Sequence, residues 1–504
     1  MFNRFLTEKT GLRLVAVLVM AIAVVIGIEQ EGSERPMAKA NSPDRQQSLS
    51  STSLIDAVTV TWNRQALGQT QTYPCSPGTF NWPNNNNWSQ QEVIAIDNVC
   101  NPPQPYVAQP SNWSTTTFPN GLGTDVILTA GTAPTNVNVQ ATIDSLTVQS
   151  GAGNMTMAGS SFLDAGTYDF QTDGVIGHGG GGGSVPYLRI AGLFKKSAGS
   201  GLLDFTGGAN EIYLRLHGGT VQVDQGTLKL GRSVDTSTGG NFVIAAGAAI
   251  DFNAAPSGFG GNYSGAYTGT GAGMFQVKGN YFNTVGPGAT FNFSGDLFQW
   301  SGGTIHSGPS LVNNGTMNLV GSAAKQIDGG AFHNAGLMTQ SGTGNLQFGT
   351  NSFMFNDAGG TYDLRSDAGF NPGGRFDNLG TFRKSSGSGI SSIGLPPGGE
   401  TFFNHLGGTV EVLTGTLRLP RGDSTGGTFI VAQGATLDLN SGSQFGSYSG
   451  TYNGSGAGVV ELNSGMISSM GPGATFNLPN FHWNGGTISA GQVFNNTGTM
   501  RLQG

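Results

Sequence analysis

Short runs of alternating apolar and polar residues, separated by glycine, dominate the chain. In Thr220-Val221-Gln222-Val223, Val221 and Val223 share one face; in Thr227-Leu228-Lys229-Leu230, Leu228 and Leu230 do the same, with Gly226 between the two runs. Alternation with a period of two in runs this short predicts half-buried strands. Gly or Pro every few residues excludes helices. Gly408-Thr409-Val410-Glu411-Val412 and Thr416-Leu417-Arg418-Leu419 repeat the pattern, keeping the inward residues and changing the outward ones.

The repetition is long. Phe194-Lys195-Lys196-Ser197 returns as Phe382-Arg383-Lys384-Ser385, and Gly286-Pro287-Gly288-Ala289-Thr290-Phe291 as Gly471-Pro472-Gly473-Ala474-Thr475-Phe476. Two copies of one large module, at about 150–321 and 340–504, fill most of the chain, and such self-similarity signals a stacked repeat. A shorter motif marks single coils: Asn313-Asn314-Gly315, His333-Asn334-Ala335-Gly336, Phe355-Asn356-Asp357, Asp377-Asn378-Leu379-Gly380 and Phe403-Asn404-His405. Asn314, Asn334, Asn356, Asn378 and Asn404 recur roughly every 20 to 26 residues, the length of one β-helix coil. They are expected to stack at a turn, where Asn tolerates a left-handed conformation and its amide bonds to the next coil. The expected fold is all-β: a right-handed parallel β-helix over 126–504, with about 16 to 18 coils and a length on the order of 80 Å.

This repeat texture resembles the exported β-helix proteins of bacteria, namely filamentous haemagglutinin-like adhesins and autotransporter passenger domains. The opening residues are similar too. Thr61-Trp62-Asn63 and Asn112-Trp113-Ser114 lead through Pro119 into Asp125-Val126-Ile127-Leu128. The resemblance implies a surface protein whose first coils begin near residue 126.

Trp62, Trp82, Trp88 and Trp113 crowd into the segment 58–125. A solenoid's first coil exposes an apolar end and an open strand edge, so a Trp-rich N-terminal cap is expected there; an aromatic sugar-binding platform is the other reading. Cys75 and Cys100 also fall in this segment. They are candidates for a disulfide in an exported protein, against two unpaired thiols. No nearby His completes a zinc set.

Arg4, Lys9 and Arg13 precede the apolar run 14–28, from Leu14 to Ile28, and Ala38-Lys39-Ala40 has the small-x-small form of a cleavage site. Residues 1–40 therefore read as an export signal or a retained membrane anchor, and 41–57 as a linker. Either way the rest of the chain is expected to be secreted or on the cell surface, touching a membrane only through this segment. The second module stops at Met500-Arg501-Leu502 where the first runs on into another coil. This leads to the expectation of a longer polypeptide or of an end covered by another chain.

Charged residues are only 10% of the chain, its formal net charge is −7, and it carries 85 glycines. With no basic patch, nucleic acid is not an expected partner. Glycans or cell surfaces are.

Candidate chemistry is sparse. Asp169 matches Asp363 and Asp251 matches Asp438, but His217, Asp224 and His306 become Leu406, Leu413 and Ser489, so no constellation occurs in both copies. No catalytic, cofactor or metal residue is assigned, and no cofactor is expected. Arg421-Gly422-Asp423 matches the integrin-read tripeptide in the second copy only, and the run from Gly179 to Gly183 lacks the Lys-Ser/Thr of a phosphate loop. Lys195-Lys196 and Arg383-Lys384 read as solvated pairs at a turn. The expected function is non-catalytic: an adhesin or structural stalk acting through many weak contacts. The alternative is a carbohydrate-active β-helix enzyme, a lyase or hydrolase.

Overall fold

The computed structural model describes the strand segments Val58–Val60, Gln71–Tyr73, Gly78–Asn81, Val93–Asp97, Gln104–Gln109 and Asn112–Trp113. From there it describes residues 124–503, apart from 129–134, 138–139, 153–154, 158–160, 180–184, 207–210, 234–235, 253–260, 395–400 and 440–444. The apolar run 14–28, Cys75 and Cys100 lie outside the described residues, as do Trp62, Trp82 and Trp88.

No helix occurs among the described residues, and from Thr124–Leu128 onward the strands pair in parallel, each with its counterpart one coil later. This is a parallel β-solenoid with three faces. On face 1, Gln140–Val148, Phe162–Phe170, Tyr187–Ile190 and Tyr213–Leu216 stack through their matching residues, and the column ends in Phe481–Trp483 and Met500–Leu502. Face 2 carries Leu193–Lys196, Thr220–Val223, Ser352–Asn356, Arg375–Asn378 and the start of Phe402–Val412. Face 3 stacks 15 strands, from Gly174–Val175 to Phe494–Asn496.

The period-two pattern explains each face. Inward residues such as Val221, Val223, Leu228, Val410, Val412 and Leu417 are fully buried in one continuous apolar core. Phenylalanines pile up along the axis: the rings of Phe376 and Phe403, one coil apart, stack with centroids at 5.4 Å.

Before face 2 begins, its edge is covered. Val93–Asp97 pairs antiparallel with Thr124–Leu128, and Gln104–Gln109 pairs antiparallel with Val93–Asp97 on its other side. An open parallel edge offers unpaired N–H and C=O groups to any strand, and these pairings occupy it.

The asparagine motif is resolved differently from its expected form. The stacked residues are Asn313, Asn334, Asn356 and Asn378, all buried on the inner side of face 2. Each Nδ2 donates to the Oδ1 of the next, at 2.9, 2.8 and 2.8 Å. Each also donates to a backbone carbonyl past the corner: Leu337, Thr361, Thr381 and Thr409 in turn. The last amide lies 3.3 Å from the Nδ1 of His405, which ends the row. Asn314 is exposed, one place out of register, and Asn404 faces outward and donates to Asp377 Oδ1. None of the ladder asparagines has a left-handed backbone; among the described non-glycine residues only Asn280 and Asn351 do. Asparagine is used here because its amide can both donate and accept along the axis. The glycine after it answers a different need: a Cβ on Gly336 would sit 2.1 Å from the carbonyl oxygen of Gly315 in the coil below.

The two module copies do not superpose by a whole number of coils. Phe194 lies on face 2 and its counterpart Phe382 on face 3; Leu228 lies on face 3 and Leu417 on face 1. The second copy is advanced by whole coils plus one face. Equivalent outward residues therefore point in different directions around the axis.

Asn356→Ala removes two donated bonds, takes the acceptor from the Asn334 amide and leaves the Asn378 amide oxygen without its donor in the interior, so it is expected to cost about 1–3 kcal/mol in denaturant unfolding. Asn314→Ala is expected to fall within about 0.5 kcal/mol of wild type. Equal effects of the two would contradict the assigned register.

Candidate functional site

Register brings together outward side chains that lie far apart in the chain. On face 1 of the second copy, Arg418, Asp438, Glu461, His482 and Arg501 occupy successive rungs. Asp438 is 2% exposed, and its Oδ2 lies 3.3 Å from Arg418 Nε. Its Oδ1 is buried without a hydrogen bond. Glu461, one rung on, is held by Asn463 Nδ2 at 2.6 Å and Asn484 Nδ2 at 3.1 Å. His482 Nε2 is 2.9 Å from Asn480 Oδ1. Burial pushes the Asp438 carboxyl up to about 6, the Glu461 charge adds to this, and Asn463 and Arg418 oppose it. A buried carboxyl with a raised pKa next to a second acidic side chain is an arrangement that general acid–base chemistry can use. In the first copy the same positions are Lys229, Asp251, Gln276 and Gln299, now on face 3. Asp251 is also raised by burial, with Lys278 at 3.3 Å; its adjacent rungs carry Lys229 and Gln276, and the second carboxylate, Asp204, lies two rungs away. The sequence showed Asp251 and Asp438 as a pair. The grouping with Glu461 and His482 exists only across coils and could be found only from the register.

The other singled-out acids are engaged in pairs. Asp363 is buried against Arg365 at 2.9 Å, Asp169 accepts from Gln171 at 2.9 Å, and Asp224 pairs with Lys195 at 3.0 Å. His217 Nδ1 lies 3.3 Å from Thr238 Oγ1, and burial followed by the nearby arginines lowers its pKa. His306 packs against Tyr281. Among the described residues no group of three His, Cys, Asp or Glu side chains is placed to hold a metal ion.

Arg421-Gly422-Asp423 is not presented as a loop. The Arg421 guanidinium lies over the Phe402 ring, 4.6 Å from its centroid, and Asp423 is paired in a strand, donating its N–H to Asn404 Oδ1. Most of the glycine run 179–183 lies outside the described residues.

The basic pairs differ from the expected solvated form. Lys195 and Arg383 point outward, but Lys196 and Lys384 turn inward and are fully buried. Lys196 Nζ donates to Asp173 Oδ1 at 2.8 Å and to the carbonyls of Ala198 and Gly199. Lys384 Nζ donates to Asp367 Oδ1 at 2.9 Å, to the carbonyls of Ser366 and Ser386, and to Ser391 Oγ. The Lys384 bond holds the Asp367 carboxyl below its usual range. Each lysine ties a Lys-Ser-x-Gly-Ser-Gly corner to the carboxylate one coil back. The motif was visible in both copies, but strand alternation alone decides which basic residue of each pair faces inward.

The Asp438 carboxyl is expected to titrate near 6 when followed by isotope-edited NMR. Its folded pKa lies above the unfolded one, so its contribution to stability is fully present below about pH 4 and is lost as pH rises through about 6. Asp438→Asn is expected to flatten that part of the stability–pH curve, and an unchanged curve would contradict the assigned environment. Comparison of the chain with protein-family models, curated proteins and solved structures gives no match, so its chemistry is read from this geometry alone.

Proposed function

We propose that this chain is a non-catalytic, exported β-helix that acts outside the cell as an adhesin or stalk through many weak contacts. The observation that carries this reading is the one-face advance between the copies. It sends equivalent outward residues to different sides of the axis, so the duplication multiplies contact surfaces and does not converge them on one cleft. Spatially separated weak sites gain affinity by acting together on a polymer or a cell surface. Many outward charges are also spent in pairs between neighbouring rungs, such as Lys229 with Asp204 and Arg383 with Glu411. The basic head and apolar run before residue 30 support export, and the resemblance of the repeats to haemagglutinin-like adhesins and autotransporter passengers supports a surface role.

A second reading, a carbohydrate-active enzyme, is favoured by the Asp438–Glu461–His482 rungs. Incubating the protein with a glycan array, and assaying the same glycans for released reducing ends, separates the two. Binding without release is the expected result. Release that is lost in both Asp438→Asn and Glu461→Gln would replace the display reading with catalysis.

A further inference from the structure

The module copies have changed many outward residues: Gln222 to Glu411, Asp224 to Leu413, His217 to Leu406. One outward column keeps rings at two positions and an arginine at a third, although Tyr187 becomes Arg375. In the first copy it runs Phe162, Tyr187, Tyr213 and Arg232 over successive rungs of face 1. In the second it runs Phe353, Arg375, Phe402, Arg421 and Phe445 on face 2. Phe162 corresponds to Phe353, Tyr213 to Phe402 and Arg232 to Arg421. Even the placing of arginine over ring is kept: Arg232 lies 5.3 Å from the centre of the Tyr213 ring and Arg421 4.6 Å from that of Phe402.

Phe353, Phe402 and Phe445 are 38%, 40% and 55% exposed, and among the described residues no other phenylalanine is exposed to this degree. All three stand in this column, at every second rung. Core packing asks nothing of an outward ring, and leaving one in water forgoes the free energy its burial would give. The charges beside the rings are matched: Arg375 with Asp377, Arg189 with Asp164 and Arg232 with Glu211. Arg215 and Arg421 lie over the Tyr187 and Phe402 rings. The column therefore offers ring surface and guanidinium donors, three of them already paired with carboxylates, which complements a hydroxyl-rich molecule that brings no charge of its own. Its rungs advance by about 4.8 Å, close to the advance per sugar ring in an extended glycan. In the second copy a ring at every second rung would meet every second sugar; in the first, Phe162 and Tyr187 stack on each other on successive rungs, with centroids 5.2 Å apart.

We infer that the two columns are related binding surfaces for an uncharged, extended polysaccharide of the β-1,4-linked type, laid along the solenoid axis. Alternate sugars place their C–H faces on the rings, and their hydroxyls bond to the exposed guanidinium groups of Arg375 and Arg189 beside them. This deepens the display reading by naming its ligand class, and the one-face advance lets the two columns engage separate chains.

The test is affinity electrophoresis of the full chain through gels containing hydroxyethylcellulose, arabinoxylan or galactomannan, with amylose as a helical control and polygalacturonate as an anionic one. The extended neutral polymers are expected to retard the wild type. The triple variant Phe353→Ser, Phe402→Ser, Phe445→Ser should bind about tenfold more weakly, and adding Phe162→Ser and Tyr213→Ser should abolish retardation, with thermal melts unchanged. If the serine variants melt early, Phe402→Leu with Phe445→Leu keeps apolar bulk and must still weaken binding. Absence of retardation by all three neutral polymers, retardation only by polygalacturonate, or equal retardation of the variants overturns the inference. A dimer that dissociates in the triple variant also overturns it, assigning the column to a second copy of the chain. Sugar release by the wild type would contradict the non-catalytic reading while leaving the columns standing; unchanged binding by the variants would do the reverse.

Discussion

Everything in this chain follows from in-register parallel pairing between coils. Once one coil's strands pair with the next at matching positions, every side chain is placed over its counterpart about one strand spacing away. Like must then tolerate like. Phenylalanine and leucine do so by stacking in the core. Asparagine does so because its amide donates on one side and accepts on the other, and Asn313, Asn334, Asn356 and Asn378 turn that property into a continuous row. An aspartate in such a row would meet repulsion at every rung, and a threonine could not also reach the corner carbonyl. The row ends where the pattern breaks, at His405, whose ring is buried against Phe429 and whose pKa is lowered by that burial to about 4.

Stacking also explains how a chain with little charge can hold ions in its interior. Lys196 and Lys384 are fully buried, yet each ammonium is met by a carboxylate and by carbonyls, those of Ala198 and Gly199 for Lys196 and those of Ser386 and Ser366 for Lys384. Burying an ammonium is costly unless it is paired and fully hydrogen-bonded, and both corners meet that condition. The glycines of the Lys-Ser-x-Gly-Ser-Gly corner are needed because the carboxylate lies so close: a Cβ on Gly199 would fall 2.4 Å from Asp173 Oδ1.

The fold was legible because both of its determinants are periodic. Alternation gave the strands, and the recurring Asn-Gly motif gave the coil. What the sequence hid was phase. Asn313-Asn314 does not say which asparagine faces inward, and Phe403-Asn404-His405 does not say that His405 takes the inward place, so Asn314 and Asn404 stood as equals of Asn334 until the register separated them. The same blindness concealed the one-face advance between the copies, because matching sequence does not report direction about an axis. It also concealed the Asp438, Glu461 and His482 rungs and the aromatic column, whose members are neighbours only across coils. In a solenoid the core is written along the chain, while surface sites are written across it.

Every surface site depends on the solenoid's register, and one distance tests that register most directly. His333 and Ser489 share an outward column on face 2, separated by seven rung steps through Phe355, Asp377, Asn404, Asp423, Ser447 and Ser468. Spin labels on cysteines at these two positions should give, by double electron–electron resonance, a narrow distance distribution centred at roughly 34 Å, set by the number of rungs and not by the length of chain between them. A broad distribution, or a distance that does not correspond to seven strand spacings, would contradict the stacked coils from which every other conclusion is drawn.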